Sequence, residues 1–170
     1  MQKANCLQGK CWQNVPFFLT AFLIVAADQL SKIWIRANLA IGQSLFEAGF
    51  FRLTHVHNTG AAFGLFRGQS FSLTIVASVG IGVLLVYAFL AYRRLSFLDN
   101  TLGKASLGLV LGGTVGNLID RLRFGYVTDF IDFGFWPAFN IADSAIVIGV
   151  IIFAYSCLRS LSWGGKRGDG

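Results

Sequence analysis

Four apolar stretches, at residues 16–35, 68–92, 101–119 and 140–158, constrain this chain more than any other feature. Each is close to the roughly 20 residues that carry an α-helix across a bilayer. The first is interrupted by Asp28 and Lys32, the second is uncharged, and the third carries Lys104 near one end, where it can snorkel. In lipid every backbone N–H and C=O must be satisfied internally, so stretches of this length are read as helices. The expectation is an all-α membrane protein, one domain over residues 1–170, with four transmembrane helices. The first stretch has no small-residue cleavage site after it, so it reads as a retained span rather than a removed signal peptide.

Composition supports this. Charged residues are 13% of the chain and hydrophobic residues 55%, against roughly 25% charged in a soluble domain. The net charge of +6 comes without a basic cluster interleaved with aromatics, so no nucleic-acid partner is expected. The basic residues are better read as topology signals and as contacts to membrane lipids. Four spans put both termini on one side. Lys3, Lys10, Arg93, Arg94, Lys104, Arg159, Lys166 and Arg167 would share that side, with Arg36, Arg52, Arg67 and Arg123 opposite. The bias favours cytoplasmic termini. Cys6, Cys11 and Cys157 form no disulfide or zinc pattern.

Between the first two spans, "FFRLTHVHN" carries β-formers with partial alternation and "NTGAAFG" carries turn residues. A short strand or hairpin on the outer membrane face is expected there. Residues 93–100 form a short link on the terminal side, and the tail "WGGKRGDG" reads as disordered.

Residues 116–146 hold four of the eight acidic residues: Asp120, Asp129, Asp132 and Asp143. Topology explains the clustering. The first and third spans end, and the fourth begins, at the same membrane face. Asp28, Lys32, Asn117, Asp120, Arg121, Asn140 and Asp143 therefore converge with the 120–140 loop. Gly108, Gly112 and Gly116 form a small-residue stripe for close helix contact, and one further step along it reaches Asp120.

Ionisable residues at membrane depth are functional candidates by default, yet each has a plainer role open to it. Asp28 and Lys32 lie one helical turn apart and suit an ion pair. Asp120 beside Arg121 reads as structural pairing. Asp143, three residues after Asn140, suits a helix cap as well as catalysis. Asp129 and Asp132 could be solvated loop acids. His55 and His57 share a face of a possible strand but do not complete a metal site. "GGTVGN" lacks the Lys of a phosphate loop, so helix packing explains it. Paired carboxylates remain. Two close carboxyl groups can share one proton, the ionised one drawing a proton from water and the protonated one polarising a carbonyl. That is peptide hydrolysis without a metal or a covalent adduct.

Five blocks in order, "DQLSK" (28–32), "NTGAAF" (58–63), "GGTVGNLIDR" (112–121), "VTDFIDF" (127–133) and "FNIADSAI" (139–146), give the chain a resemblance to bacterial lipoprotein signal peptidase (signal peptidase II), a family of membrane aspartic endopeptidases. The resemblance implies four transmembrane helices with a small extracytoplasmic β-cradle and a short interfacial helix. It implies a catalytic pair, Asp129 and Asp143, and no cofactor or metal. It places Asn58, Gly60, Asn117, Arg121 and Asn140 around substrate or in support of the pair. Asp28, Lys32 and Asp120 match positions read as structural or substrate-contacting. The implied partners are diacylglyceryl-modified prolipoproteins, cut just before the lipidated cysteine by a monomer in the bacterial inner membrane, near its extracytoplasmic face. The segment around Asn58 is expected to clamp an extended peptide as an added strand. Asp143 near a helix N-terminus favours its ionised form, which leaves the shared proton on Asp129. The alternatives from other classes are a small proton-coupled transporter, tested by flux, and a non-catalytic assembly factor, in which the loop aspartates would be replaceable.

Overall fold

A computed structural model describes residues 14–60, 68–90 and 100–165. The described elements run α1 (Val15–Asn38), β1 (Ser44–Ala48), β2 (Phe51–Asn58), α2 (Ser70–Leu90), α3 (Thr101–Phe124), β3 (Val127–Asp132) and α4 (Ile141–Gly165). All four helices are long and apolar enough to cross a membrane. They fall on the four expected spans; α1, α3 and α4 continue beyond the expected ends, while α2 is described over 70–90 of the expected 68–92. The expected short interfacial helix is not among the described elements. The N-terminal segment with Cys6 and Cys11, the 91–99 link, most of "GAAFGLFR" and the tail from Lys166 lie outside the described residues.

Local chemistry sets the helix ends. Pro16 stands in the first turn of α1, where its missing N–H costs nothing. Asn100 caps α3, its side-chain oxygen accepting from Gly103 N at 2.6 Å. Gly125 closes α3 at φ 78° and donates its N–H to Arg121 O, a left-handed stop that suits glycine.

The glycine stripe of α3 packs as its spacing predicts. A Cβ on Gly108 would stand 2.5 Å from Phe17 O, and one on Gly112 2.7 Å from Ala21 O. At Gly116 it would meet the Asp28 carboxylate at 2.6 Å. These contacts seat α3 directly against α1, while Gly113 faces the Ala142 carbonyl on α4. Close backbone approach supplies dispersion contacts where lipid gives no hydrophobic drive for helix association. Phe17, Ala21, Leu107 and Leu111 fill the α1–α3 interface. Outward side chains such as Phe22, Leu30, Phe71, Val76 and Leu158 stay exposed, as a lipid-facing surface requires.

At one end of the helices sits an antiparallel sheet in the order β1–β2–β3. The expected hairpin is β1–β2, turning through Gly49 at φ 62°. The third strand, β3, falls where the sequence leads one to expect a connecting loop. Its register pairs Asn58 with Val127, His57 with Thr128 and Val56 with Asp129. Ile35 and Leu39 at the end of α1 pack on Phe130, with Leu53, Ile131 and Ile141 around them. That second core fixes the sheet to the helix ends.

Candidate active site

Asp129 and Asp143 meet where β3 adjoins the start of α4. Asp129 is 1% exposed. On the sheet face it shares with Val56, its Oδ2 accepts from Asn58 Nδ2 at 2.9 Å. Asn58 pairs with Val127, so this is a diagonal cross-strand contact. Asp129 Oδ1 accepts from Asn140 Nδ2 at 2.7 Å. Asn140, itself fully buried, caps α4. Its Oδ1 accepts from Asp143 N at 2.9 Å, and its own N donates to Asp143 Oδ2 at 3.3 Å. This is a reciprocal capping box, so Asp143 is both a capping residue and a member of the carboxyl pair. One asparagine touches both acids.

Lys32 sets the polarity of this network. An ammonium can only donate, so Asn117 must turn Oδ1 toward Lys32 Nζ, 2.9 Å away. Asn117 Nδ2 is then left to donate to Asp143 Oδ1 at 2.8 Å. Asn140 Nδ2 donates to the same Asn117 oxygen at 3.1 Å. Burial and the neighbouring Asp143 carboxylate push the Asp129 carboxyl up to about 7, against the opposing pull of the Asn58 and Asn140 donors and the Lys32 charge.

Behind the pair lies a fully buried ionic group. Lys32 Nζ stands 2.8 Å from Asp28 Oδ2 and 3.4 Å from Asp120 Oδ2. The expected Asp28–Lys32 pair is therefore present. Asp120 pairs with Lys32 and with Arg36, at 3.4 Å, rather than with its neighbour Arg121, because a helix points successive residues about 100° apart. Arg121 instead donates to Gly60 O at 3.2 Å. Asp132 is no free loop acid: it closes a 2.6 Å ion pair with Arg52 across β2–β3. Asp129 is likewise a buried strand residue. The reading of both as solvated loop acids is corrected by β3.

Gly60 stands next to Asn58 at the cleft. Its N–H donates to Asn58 Oδ1 and its carbonyl accepts from Arg121. The Gly60 N–H is thus used within the chain, while its carbonyl keeps a second lone pair. His55 and His57 do share a face, with ring centroids 5.0 Å apart. His55 Nδ1 bonds Leu39 O, His57 stacks on Tyr126, and burial holds the His57 imidazole below its ordinary pKa. They lie on the sheet face opposite Asp129.

The sequence reading missed Arg36, Gln29 and Thr128. Arg36 was available as the next step on the Asp28–Lys32 helix face. It donates to Thr128 Oγ1 at 2.9 Å. Gln29 donates to Gly116 O at 3.1 Å, a tertiary contact that no local pattern announces.

A cleft of about 370 Å³ opens beside Asp143, while Asp129 lies buried behind it, bonded to Asn58 and Asn140, and is not among the lining residues. Asn58, Gly60, Asn117, Arg121, Asp143 and Ser144 supply its polar side. Trp136, Pro137, Ala138, Phe139, Val147 and Ile148 supply its apolar side. Val147 and Ile148 are half-exposed on α4, so the cleft continues onto the lipid-facing helix surface. Two adjacent carboxyl groups sharing one proton can activate water and polarise an amide carbonyl together.

The family model described as signal peptidase (SPase) II matches residues 20–159. A lipoprotein signal peptidase of Dehalococcoides mccartyi is 50% identical over 157 residues, covering 92% of this chain and 98% of its own length. One from Moorella thermoacetica is 51% identical over 145 residues, covering 85% and 93%. A solved structure described as a bacterial membrane enzyme, obtained by the in meso method at 2.3 Å resolution, matches with a TM-score of 0.75 at 32% identity. The match covers 85% of this chain and 88% of that one.

Proposed function

The chain belongs to the signal peptidase II family, and from that premise we propose that it removes the signal peptide from diacylglyceryl-modified prolipoproteins through Asp129 and Asp143. It is a multi-pass membrane protein of a peptidase family; the aspartic mechanism and the cut before the lipidated cysteine are the proposal. The observation that carries it is Asn140, which bonds one buried carboxyl group and caps the helix bearing the other.

Asp143 acts as base on a water, and Asp129 carries the shared proton to the scissile carbonyl. Water adds to the carbonyl carbon, one of its protons passing to Asp143 while Asp129 protonates the oxygen. The tetrahedral diol collapses as Asp143 returns a proton to the departing amine and Asp129 recovers one from a diol hydroxyl. The products are a signal-peptide carboxylic acid and a lipoprotein whose new N-terminus is the lipidated cysteine. Arg121 and Asn58 border the cleft and hold the peptide backbone, while the Val147 and Ile148 side faces the lipid or the signal helix. The reaction uses no cofactor, and the protein works as a monomer in the inner membrane with its site at the extracytoplasmic face.

The test is a digestion of purified full-length protein with one prolipoprotein in two forms, with and without the diacylglyceryl group, read by mass spectrometry. The expected result is a single cut immediately before the modified cysteine and none in the unmodified form. A cut elsewhere, or equal cutting of both, contradicts the substrate assignment.

A further inference from the structure

Asp28 and Asp120 do the same thing on opposite sides of the carboxyl pair. Asp28 Oδ1 accepts the backbone N–H of Ala142 at 3.0 Å, and Ala142 immediately precedes Asp143. Asp120 Oδ2 accepts the backbone N–H of Thr128 at 2.9 Å, and Thr128 immediately precedes Asp129. Lys32 lies between the two acids, bonded to both, and reaches Asn117, which in turn donates to Asp143. All three ionic side chains are fully buried. Arg36 adds a second cation on Asp120 and holds Thr128 through its hydroxyl.

We infer that the Asp28–Lys32–Asp120 group is a bracket that sets the separation of Asp129 and Asp143, each acid gripping the main chain one residue before a member of the pair. Its residues are positioning residues and touch no substrate. The inference rests on the proposed roles of Asp129 and Asp143.

The geometry goes beyond holding helices together. A pairing that only joined α1 to α3 would need no bond to α4 or β3. Here the two strongest acceptors of the cluster end on the two backbones that carry the carboxyl pair. A buried ion group is weak support for stability in general, since desolvation offsets most of the attraction. Its bonds to Ala142 N and Thr128 N fit a role in specifying geometry. After burial, the larger cause, repulsion from Asp143 holds the Asp129 titration near 7, so variants that lose the same buried charge but differ in separation should differ in that titration.

The experiment compares wild type, Asp120→Leu, Asp120→Asn, Asp28→Leu and Asp28→Asn on the lipidated prolipoprotein, with Asp129→Asn as control. Asparagine keeps an oxygen for the backbone N–H; leucine does not. The Leu variants are expected to lose about 10²-fold in kcat, the order of loss for a misplaced reacting group, with KM within about threefold. Their high-pH activity limb lies at lower pH than that of the Asn variants, which lose the same charge, because a more distant Asp143 repels the Asp129 charge less. The Asn variants recover about tenfold or more of the loss, the worth of one retained hydrogen bond to a backbone donor. Equal losses in Leu and Asn variants, or a pH limb that coincides in the two, reduce the group to a structural support and overturn the bracket. Where a Leu variant does not fold, Asp120→Glu replaces it, keeping the charge but moving the acceptor by one methylene. An unmoved pH limb and rate in that variant overturn the bracket equally. A wild type that does not cleave, or an active Asp129→Asn, shows instead that the catalytic reading has failed, and the bracket falls with it.

Discussion

Asp129 is held under opposing pressures. Its burial and the nearby Asp143 carboxylate favour the neutral form, while two asparagine amides and Lys32 favour the anion. The balance leaves it near 7, against an ordinary carboxyl value near 3.8. The sign of the linkage follows. A group raised on folding contributes stability that is full below its unfolded pKa and is lost as pH rises through the folded one. Thermal unfolding in detergent should therefore show wild type weakening between about pH 4 and pH 7, by on the order of a few kcal/mol in all. Asp129→Asn should give a flatter curve. Parallel curves for the two proteins would refute the raised titration. The activity should fall on the alkaline side near pH 7 as the shared proton leaves the pair, and isotope-edited infrared spectra should find that proton on Asp129. At this scale the sequence was legible where neighbours are local: the Asn140–Asp143 cap and the Asp28–Lys32 turn. Arg36–Asp120 joins residues 84 positions apart, and no spacing rule predicts such a pair.

The third helix and the third strand show opposite degrees of legibility. The small-residue period of α3 predicted its packing face, because four-residue steps on a helix stay on one side. The test is Gly112→Leu. Its new side chain begins 2.7 Å from Ala21 O, so α1 and α3 must separate, at a cost of about 1–3 kcal/mol. Gly80→Ala on α2, where a Cβ meets nothing within 4 Å, should leave thermal stability unchanged or slightly raised. Comparable destabilisation by both would contradict the packing face. The strand β3 was hidden for a physical reason. Val127, Thr128, Asp129 and Phe130 are all buried, so the strand has no solvent face and shows no polar alternation. Its polar residues are satisfied by distant partners, so composition alone resembles a loop. The five motif blocks marked the segment through resemblance, without giving its conformation.

Across the whole molecule, α1 and α3 end, and α4 begins, where the sheet sits, and the carboxyl pair is gathered at that end. The orientation proposed from the basic residues makes this the extracytoplasmic end. In a variant with Cys6, Cys11 and Cys157 replaced by serine, a single cysteine at Gln43, beside β1, should react with an impermeant maleimide added to intact spheroplasts. One at Asn100, at the start of α3, should react only after lysis. The reversed pattern would invert the topology and place the cleft on the wrong side for exported prolipoproteins. The layout of four spans was legible because bilayer thickness dictates their length. The fit of the sheet to the helix ends was not, since it depends on Ile35, Leu39 and Phe130 meeting from three elements. Two aspartates acting together are the centre of the proposed activity, and single-turnover cleavage of the diacylglyceryl prolipoprotein tests them directly. Folded Asp129→Asn and Asp143→Asn should each lose at least about 10³-fold in rate, because neither acid can work without the other. Asp132→Asn, which loses only the charge of a partly exposed pair with Arg52, should stay within a few-fold of wild type. Cleavage at near wild-type rate by either of the first two would contradict the account.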